Sequence, residues 1–109
     1  IAGGVMVHQF LHIGRFAMVG GNAKITQDVL PFMITDGNPA VVRGLNMVGL
    51  KRSGFDLSEI KVLKRAMQLL FQAGTLTDNL AAISALDHPL AAELSEFVTS
   101  AERGFHRQH

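Results

Sequence analysis

The sequence predicts a mixed β plus α chain: a prism of short strands wound from six-residue repeats, followed by three helices. Three observations carry this. Over residues 1–30 a branched aliphatic residue stands at every sixth place, as Ile1, Val7, Ile13, Val19 and Ile25. A helix repeats its apolar face every three or four residues and a half-buried strand every two, so neither accounts for that period, whereas one flat side of a triangular coil does. Four places after each leading residue comes a second column of small or aliphatic residues, Val5, Leu11, Ala17, Ala23 and Val29, suited to a crowded interior. From Asp56 onward the spacing changes to that of amphipathic helices.

The elements follow in order. Three hexads close one coil, so Ile1 to Leu30 builds fewer than two coils, and a solenoid needs about three or more stacked repeats for a continuous core. Further coils are therefore expected before Ile1, and the chain reads as a fragment. Gly3, Gly4, Gly14, Gly20, Gly21 and Asn22 are the corner candidates, as residue types that tolerate positive φ. An antiparallel sheet with glycine turns would alternate with period two and would not hold the six-residue phase. After Pro31 the hexads stop, which places the last repeat coils in residues 1–32. Gly37, Pro39, Gly44, Gly49 and Gly54 break up any long element in residues 33–55, a structured connector. Residues 56–109 form a three-helix domain. Asp56 is the first N-cap, with Glu59 completing a capping box. Leu57, Ile60, Leu63, Met67 and Leu70 make an apolar stripe ending near Gly74, opposite Lys61, Lys64, Arg65, Gln68 and Gln72. A second helix is expected from about Asp78 to Leu86. A third runs from Pro89, suited to a first turn, to about Glu102, with Leu90, Leu94, Phe97 and Val98 packing back. The closing "FHRQH" is expected to fray.

Composition removes several classes. The net charge of +1 argues against a nucleic-acid partner, and the lack of cysteine removes disulfides and thiolate sites. No apolar run approaches the roughly 18 residues needed to span a bilayer, and the first residues lack the charged and apolar regions of a signal peptide. Neither membrane insertion nor export is expected. No cofactor and no metal site is predicted.

The stretch "GGVMVHQFLHIGRFAMVGGNAKITQDVLPFMITDGNPAVVRGLNMVGLKRSGF" is specific enough to name a resemblance. With its "VHQF", "MVGG", "TQDV" and "GLNMVGLKRSGF", and the helical segment ending in "RGF", it resembles the C-terminal portion of the UDP-N-acetylglucosamine O-acyltransferases. The resemblance covers the whole chain. It implies a left-handed parallel β-helix and a cytoplasmic homotrimer with active sites in the clefts between subunits. It also implies transfer of an (R)-3-hydroxyacyl chain from acyl carrier protein to the 3-hydroxyl of UDP-N-acetylglucosamine, the first step of lipid A biosynthesis. In that family the histidine base and the backbone oxyanion donor belong to earlier coils. No catalytic residue is therefore assigned here, and the chain by itself is expected to transfer nothing.

Several residues are carried over by the same resemblance. His8 and Gln9 would line the cleft near the sugar nucleotide, while His12 matches no functional position and reads as surface. Asn46, able to donate and accept, and Arg52, with a planar fork suited to a diphosphate, would face the nucleotide. The chain departs from the family pattern at Ser53, where a second arginine is common, at Val48, where glutamate is frequent, and at Pro39, where histidine is frequent. Gly3, Met18 and Gly21 are assigned to the acyl groove, with Gly21 at the position that limits chain length. Lys61, Lys64 and Arg65 would meet acidic acyl carrier protein, which a basic face steers. Two other classes stay open: a noncatalytic trimerising module, and another hexapeptide-repeat enzyme, either an N-acyltransferase of the same pathway or a metal-dependent carbonic anhydrase.

Overall fold

Six-residue spacing puts successive leading side chains on successive faces of one coil, all pointing to a common axis. The structure, a computed structural model, describes residues 6–7, 11–21, 23–101 and 104–108. In it Val19, Ala23, Ile25, Val29 and Ala40 form one buried cluster, with Leu11, Ile13 and Ala17 packed against it. Both predicted columns thus meet at the axis, joined by Ala40 from outside the repeats.

The strands are short: β1 (Met6–Val7), β2 (Met18–Val19) and β3 (Lys24–Ile25), then β4 (Met33–Asp36) and β5 (Val41–Leu45). β1 pairs with β3 in parallel, Val7 opposite Ile25, a separation of three full hexads. One face further on, Ile13 bridges Val29, and β2 pairs with β4 in parallel with Val19 opposite Thr35, separations of only 16 residues. Six residues separate Val7 from Ile13, but only four separate their partners Ile25 and Val29. The corner Thr26–Asp28 is therefore two residues short, which is why the hexad phase is lost in the sequence although parallel pairing runs on to Thr35. Thr35 takes the inward place under Val19 and is fully buried. β5 then returns antiparallel to β4, with an irregularity between Ile34 and Thr35.

Of the corner candidates, Gly3, Gly4 and Asn22 lie outside the described residues, while Gly14 and Gly20 act otherwise than expected. A Cβ on Gly14 would lie 2.4 Å from the backbone nitrogen of Pro31, and one on Gly20 would overlap the Asp36 carboxylate. Both are glycine because the next coil passes too close for a side chain. Positive φ falls instead on Phe16 (59°) and Phe32 (68°), equivalent corners of successive coils whose rings stack at 6.3 Å. Phe55 closes edge-on against both, at 5.1 and 6.2 Å.

Beyond β5 come α1 (Met47–Arg52), α2 (Leu57–Phe71), α3 (Leu76–Ser84) and α4 (Pro89–Ser100). The short α1 lies inside the predicted connector. α2 carries the expected capping box: Asp56 Oδ1 accepts from Glu59 N at 2.8 Å, and Glu59 Oε1 accepts from Asp56 N at 3.0 Å. Of its predicted stripe, Leu57 is outside the core: it is 71% exposed and lines a surface groove with Leu45 and Met47. Buried Asn79 of α3 donates to the Leu70 and Gln72 carbonyls, satisfying acceptors left over at the α2 C-terminus. Ile60, Leu63, Leu70, Ile83, Leu94 and Val98 share one core with Leu30, Phe32 and Met33 of the last coil, so the helices cover the open end of the prism.

Residues 105–108 of the C-terminal segment are not frayed, and His109 lies outside the described residues. Phe105 and His106 are buried, Phe105 bridges Asp28 in parallel, and Asp28 N donates to the Gly104 carbonyl at 3.0 Å. The short corner leaves backbone groups that the returning chain satisfies, an effect without a periodic signature in sequence.

Replacing Gly14 by alanine is expected to destabilise the fold by about 1–3 kcal/mol, since the added methyl group meets backbone that cannot rotate away. Urea denaturation checks this, and an unchanged midpoint would show slack between the coils.

Candidate functional site

The cleft between the last coil and α1 is built from both. β2 contributes Met18 and Val19, β4 contributes Ile34, and β5 with the start of α1 contributes Leu45, Met47 and Val48. Ala17, Asn46, Gly49 and Arg52 complete the lining of a space of about 650 Å³. Met18 and Val48 are 51% and 62% exposed. The cleft is thus mostly apolar, with one guanidinium on its wall.

Asn46 fixes the relation between its two sides. Its backbone N–H donates to the Phe32 carbonyl at 2.8 Å and its Nδ2 to the Phe16 carbonyl at 3.0 Å. Its Oδ1 caps α1 by accepting from Gly49 N at 3.2 Å. One residue therefore reads both left-handed corners and sets the start of the helix that carries Arg52. Gly49 is required here, since a Cβ would meet the Asn46 amide. Arg15 adds a further tie: its guanidinium lies over Phe16 and Phe32 and pairs with Glu93 of α4 at 2.6 Å. That pair is largely solvated and contributes little.

Next to the cleft, and sharing Leu45 and Met47 with it, runs a groove of about 340 Å³ floored by Leu57, Ile60 and Met67 and edged by Lys61 and Lys64. The structure thus gathers Met18, Asn46 and Arg52 at one cleft, and Lys61 and Lys64 at its neighbour. Arg65 is exposed on α2 outside the groove, and Gly21 is exposed in the turn after β2, outside the cleft lining. Gly3, His8 and Gln9 lie outside the described residues. The apolar wall of Ile34, Leu45, Met47 and Val48 was missed by sequence reasoning, since these residues come from three elements that no single period links. Among the described residues no three His, Cys, Asp or Glu side chains gather as metal ligands would, and no helix is long and apolar enough to cross a membrane.

A coil of hexapeptide repeats whose last turn is capped by helices, with an apolar cleft at the junction, defines the class of the hexapeptide-repeat proteins. Residues 28–106 match the family model described as UDP-N-acetylglucosamine O-acyltransferase, domain 2, and the chain belongs to that family. Among similar proteins, the acyl-[acyl-carrier-protein]--UDP-N-acetylglucosamine O-acyltransferase of Paracidovorax citrulli is 45% identical over 108 residues, covering 93% of this chain and 41% of that protein. The same-named protein of Synechocystis is 51% identical over 75 residues, 69% of this chain and 27% of that protein. The solved UDP-N-acetylglucosamine O-acyltransferase of Moraxella catarrhalis superposes with a TM-score of 0.88 at 35% identity, over 94% of this chain and 41% of that one. The fold is accordingly the end of a left-handed parallel β-helix followed by a C-terminal helical domain. The chain spans roughly two fifths or less of the length of these relatives.

Asn46→Ala is expected to cost about 1–2 kcal/mol, and Asn46→Ser to recover part of that loss, because serine caps a helix but does not reach the Phe16 carbonyl. Denaturation midpoints of the two variants check this; equal losses would mean the cap contributes nothing.

Proposed function

We propose that the chain is the C-terminal part of an enzyme that transfers an (R)-3-hydroxyacyl group from acyl carrier protein to the 3-hydroxyl of UDP-N-acetylglucosamine, the entry reaction of lipid A biosynthesis. The observation that carries this reading is the convergence of Met18, Asn46 and Arg52 on one cleft in a chain of this family. Attack of the sugar hydroxyl on a thioester carbonyl needs a base for its proton and donors for the oxyanion. Neither role is assigned to a residue here. Within the cleft, Arg52 is the group suited to a diphosphate, and the apolar wall around Met18 suits an alkyl chain. Asn46 acts on the nucleotide through the cleft geometry it holds. The groove edged by Lys61 and Lys64, with Arg65 beside it, would receive acidic acyl carrier protein. His8, Gln9 and Gly3 keep their proposed places at the sugar nucleotide and the acyl chain. The working unit is a cytoplasmic homotrimer in which a neighbouring copy closes the cleft.

In the full-length enzyme, Arg52→Ala is expected to raise the KM for the nucleotide sugar about 10- to 150-fold at unchanged thermal stability, as loss of a charge-assisted contact costs about 1.5–3 kcal/mol. An unchanged KM assigns Arg52 to the solvated surface.

Chain-length selectivity supplies an independent check. Gly21, in the turn that follows Met18 and Val19 and outside the cleft lining, is carried over from the resemblance as the position that limits chain length, so Gly21→Met should shift preference toward shorter hydroxyacyl chains, each excluded CH₂ forfeiting about 0.8 kcal/mol. Competition between acyl donors of different length reads this directly. An unaltered preference at normal stability would return Gly21 to a purely structural role.

A further inference from the structure

The shortened corner Thr26–Asp28 turns two consecutive amides toward the returning chain. Thr26 N and Gln27 N both donate to Nε2 of His106, at 3.2 and 3.3 Å. An imidazole nitrogen that accepts two hydrogen bonds carries no proton, so the ring is neutral with its proton on Nδ1, on the side that hydrogen-bonds the Ala40 backbone. Around it the chain is stitched to the coil by main-chain bonds: Asp28 N to Gly104 O and His106 N to Asp28 O, both at 3.0 Å, and Val42 N to Arg107 O at 2.9 Å. Phe105 enters the core shared by the last coil and the helices. We propose that His106 is a proton-sensitive latch: protonation at Nε2 ejects the C-terminal segment 104–108 from the coil and loosens β5, which leads into Asn46 and α1.

The chemistry is local. A proton on Nε2 replaces the shared lone pair by an N–H aimed at two other N–H donors, so two attractions become repulsions while the Ala40 contact persists. Burial already holds the ring below the ordinary histidine value of 6.5, and the Ala40 hydrogen bond pulls it partly back. Charged groups on the elements packed around it are Lys24 and Asp28 on the coil, Asp36 and Arg43 on the β4–β5 hairpin, and Arg107 on the returning segment. The Asp28 carboxylate accepts from His12 N at 2.9 Å, and the Arg107 guanidinium lies 4.4 Å from the Phe105 ring centre. Since the folded state disfavours the proton relative to the unfolded chain, the latch contributes fully above about pH 6.5. Its contribution falls as pH drops from there through the folded value.

The test is hydrogen exchange, corrected for intrinsic rates, between pH 7.5 and 5.5, with the imidazole titration followed by NMR. His106 is assigned among the five histidines of the wild-type protein by through-bond correlation of its ring to its own backbone. The latch predicts that His106 titrates below 6.5 and that protection at Thr26, Gln27, Asp28 and Val42 falls as pH drops below 6.5, by no more than the tenfold per pH unit that one proton can give. Gly20 N, bonded to Thr35 O within the coil, is the internal reference and should hold. In His106→Gln, which keeps an acceptor but cannot be protonated, the same amides should show no pH dependence beyond that reference. A ring titrating at or above 6.5, or protection falling in parallel at Gly20, would overturn the proposal; the wild-type comparison decides even if the variant does not fold.

Discussion

A stack of parallel coils has to end somewhere, and the way this one ends governs the rest of the chain. An open last coil would expose Leu30, Phe32 and Met33 together with a free strand edge, an invitation to pair with another chain. Instead β5 turns back on β4, and α2, α3 and α4 bury those three residues in the core they share. The Phe16, Phe32 and Phe55 rings lock coil and helices at one corner. At another, the returning chain docks on Asp28. The cleft lies where β2 and β4 of the coil meet the end of β5 and the start of α1.

Asn46 links that architecture to chemistry. By holding the carbonyls of two stacked left-handed corners and starting α1, it converts the pitch of the coil into the position of Arg52, one and a half turns on. With Arg52 at the nucleotide as proposed, variants at Asn46 would change KM and stability together. Variants at Arg52 therefore discriminate a binding role more cleanly than variants at Asn46.

Much of the fold was legible in the sequence, and for a physical reason: side chains at Val19, Ala23, Ile25 and Val29 face a common axis, so their spacing records the backbone directly. The capping box at Asp56 and Glu59 and the apolar faces of α2, Leu57 apart, and of α4 were legible on the same ground. The two-residue shortening between Ile25 and Val29 hid the last coil, since a lost phase looks like a lost element. Nothing in the spacing marked Phe16 and Phe32, which occupy the left-handed corners expected of glycine. His106 read as part of a loose end because its partners are backbone amides 79 and 80 residues away. Of the candidate site, Met18, Asn46 and Arg52 followed from resemblance, while the apolar wall they share had to wait for three dimensions.

The central claim is that the cleft beside α1 receives the acylated sugar nucleotide, with its alkyl chain along Met18 and Met47 and its diphosphate at Arg52. Methyl NMR of the full-length protein, labelled at methionine, tests it most directly, because Met18 and Met47 line the cleft and Met33 is buried in the shared core. Adding the 3-O-hydroxyacyl product is predicted to shift the Met18 and Met47 methyls and leave Met33 in place, with UDP-N-acetylglucosamine alone moving them less. Saturable binding of the product with Met18 and Met47 unmoved would contradict the account.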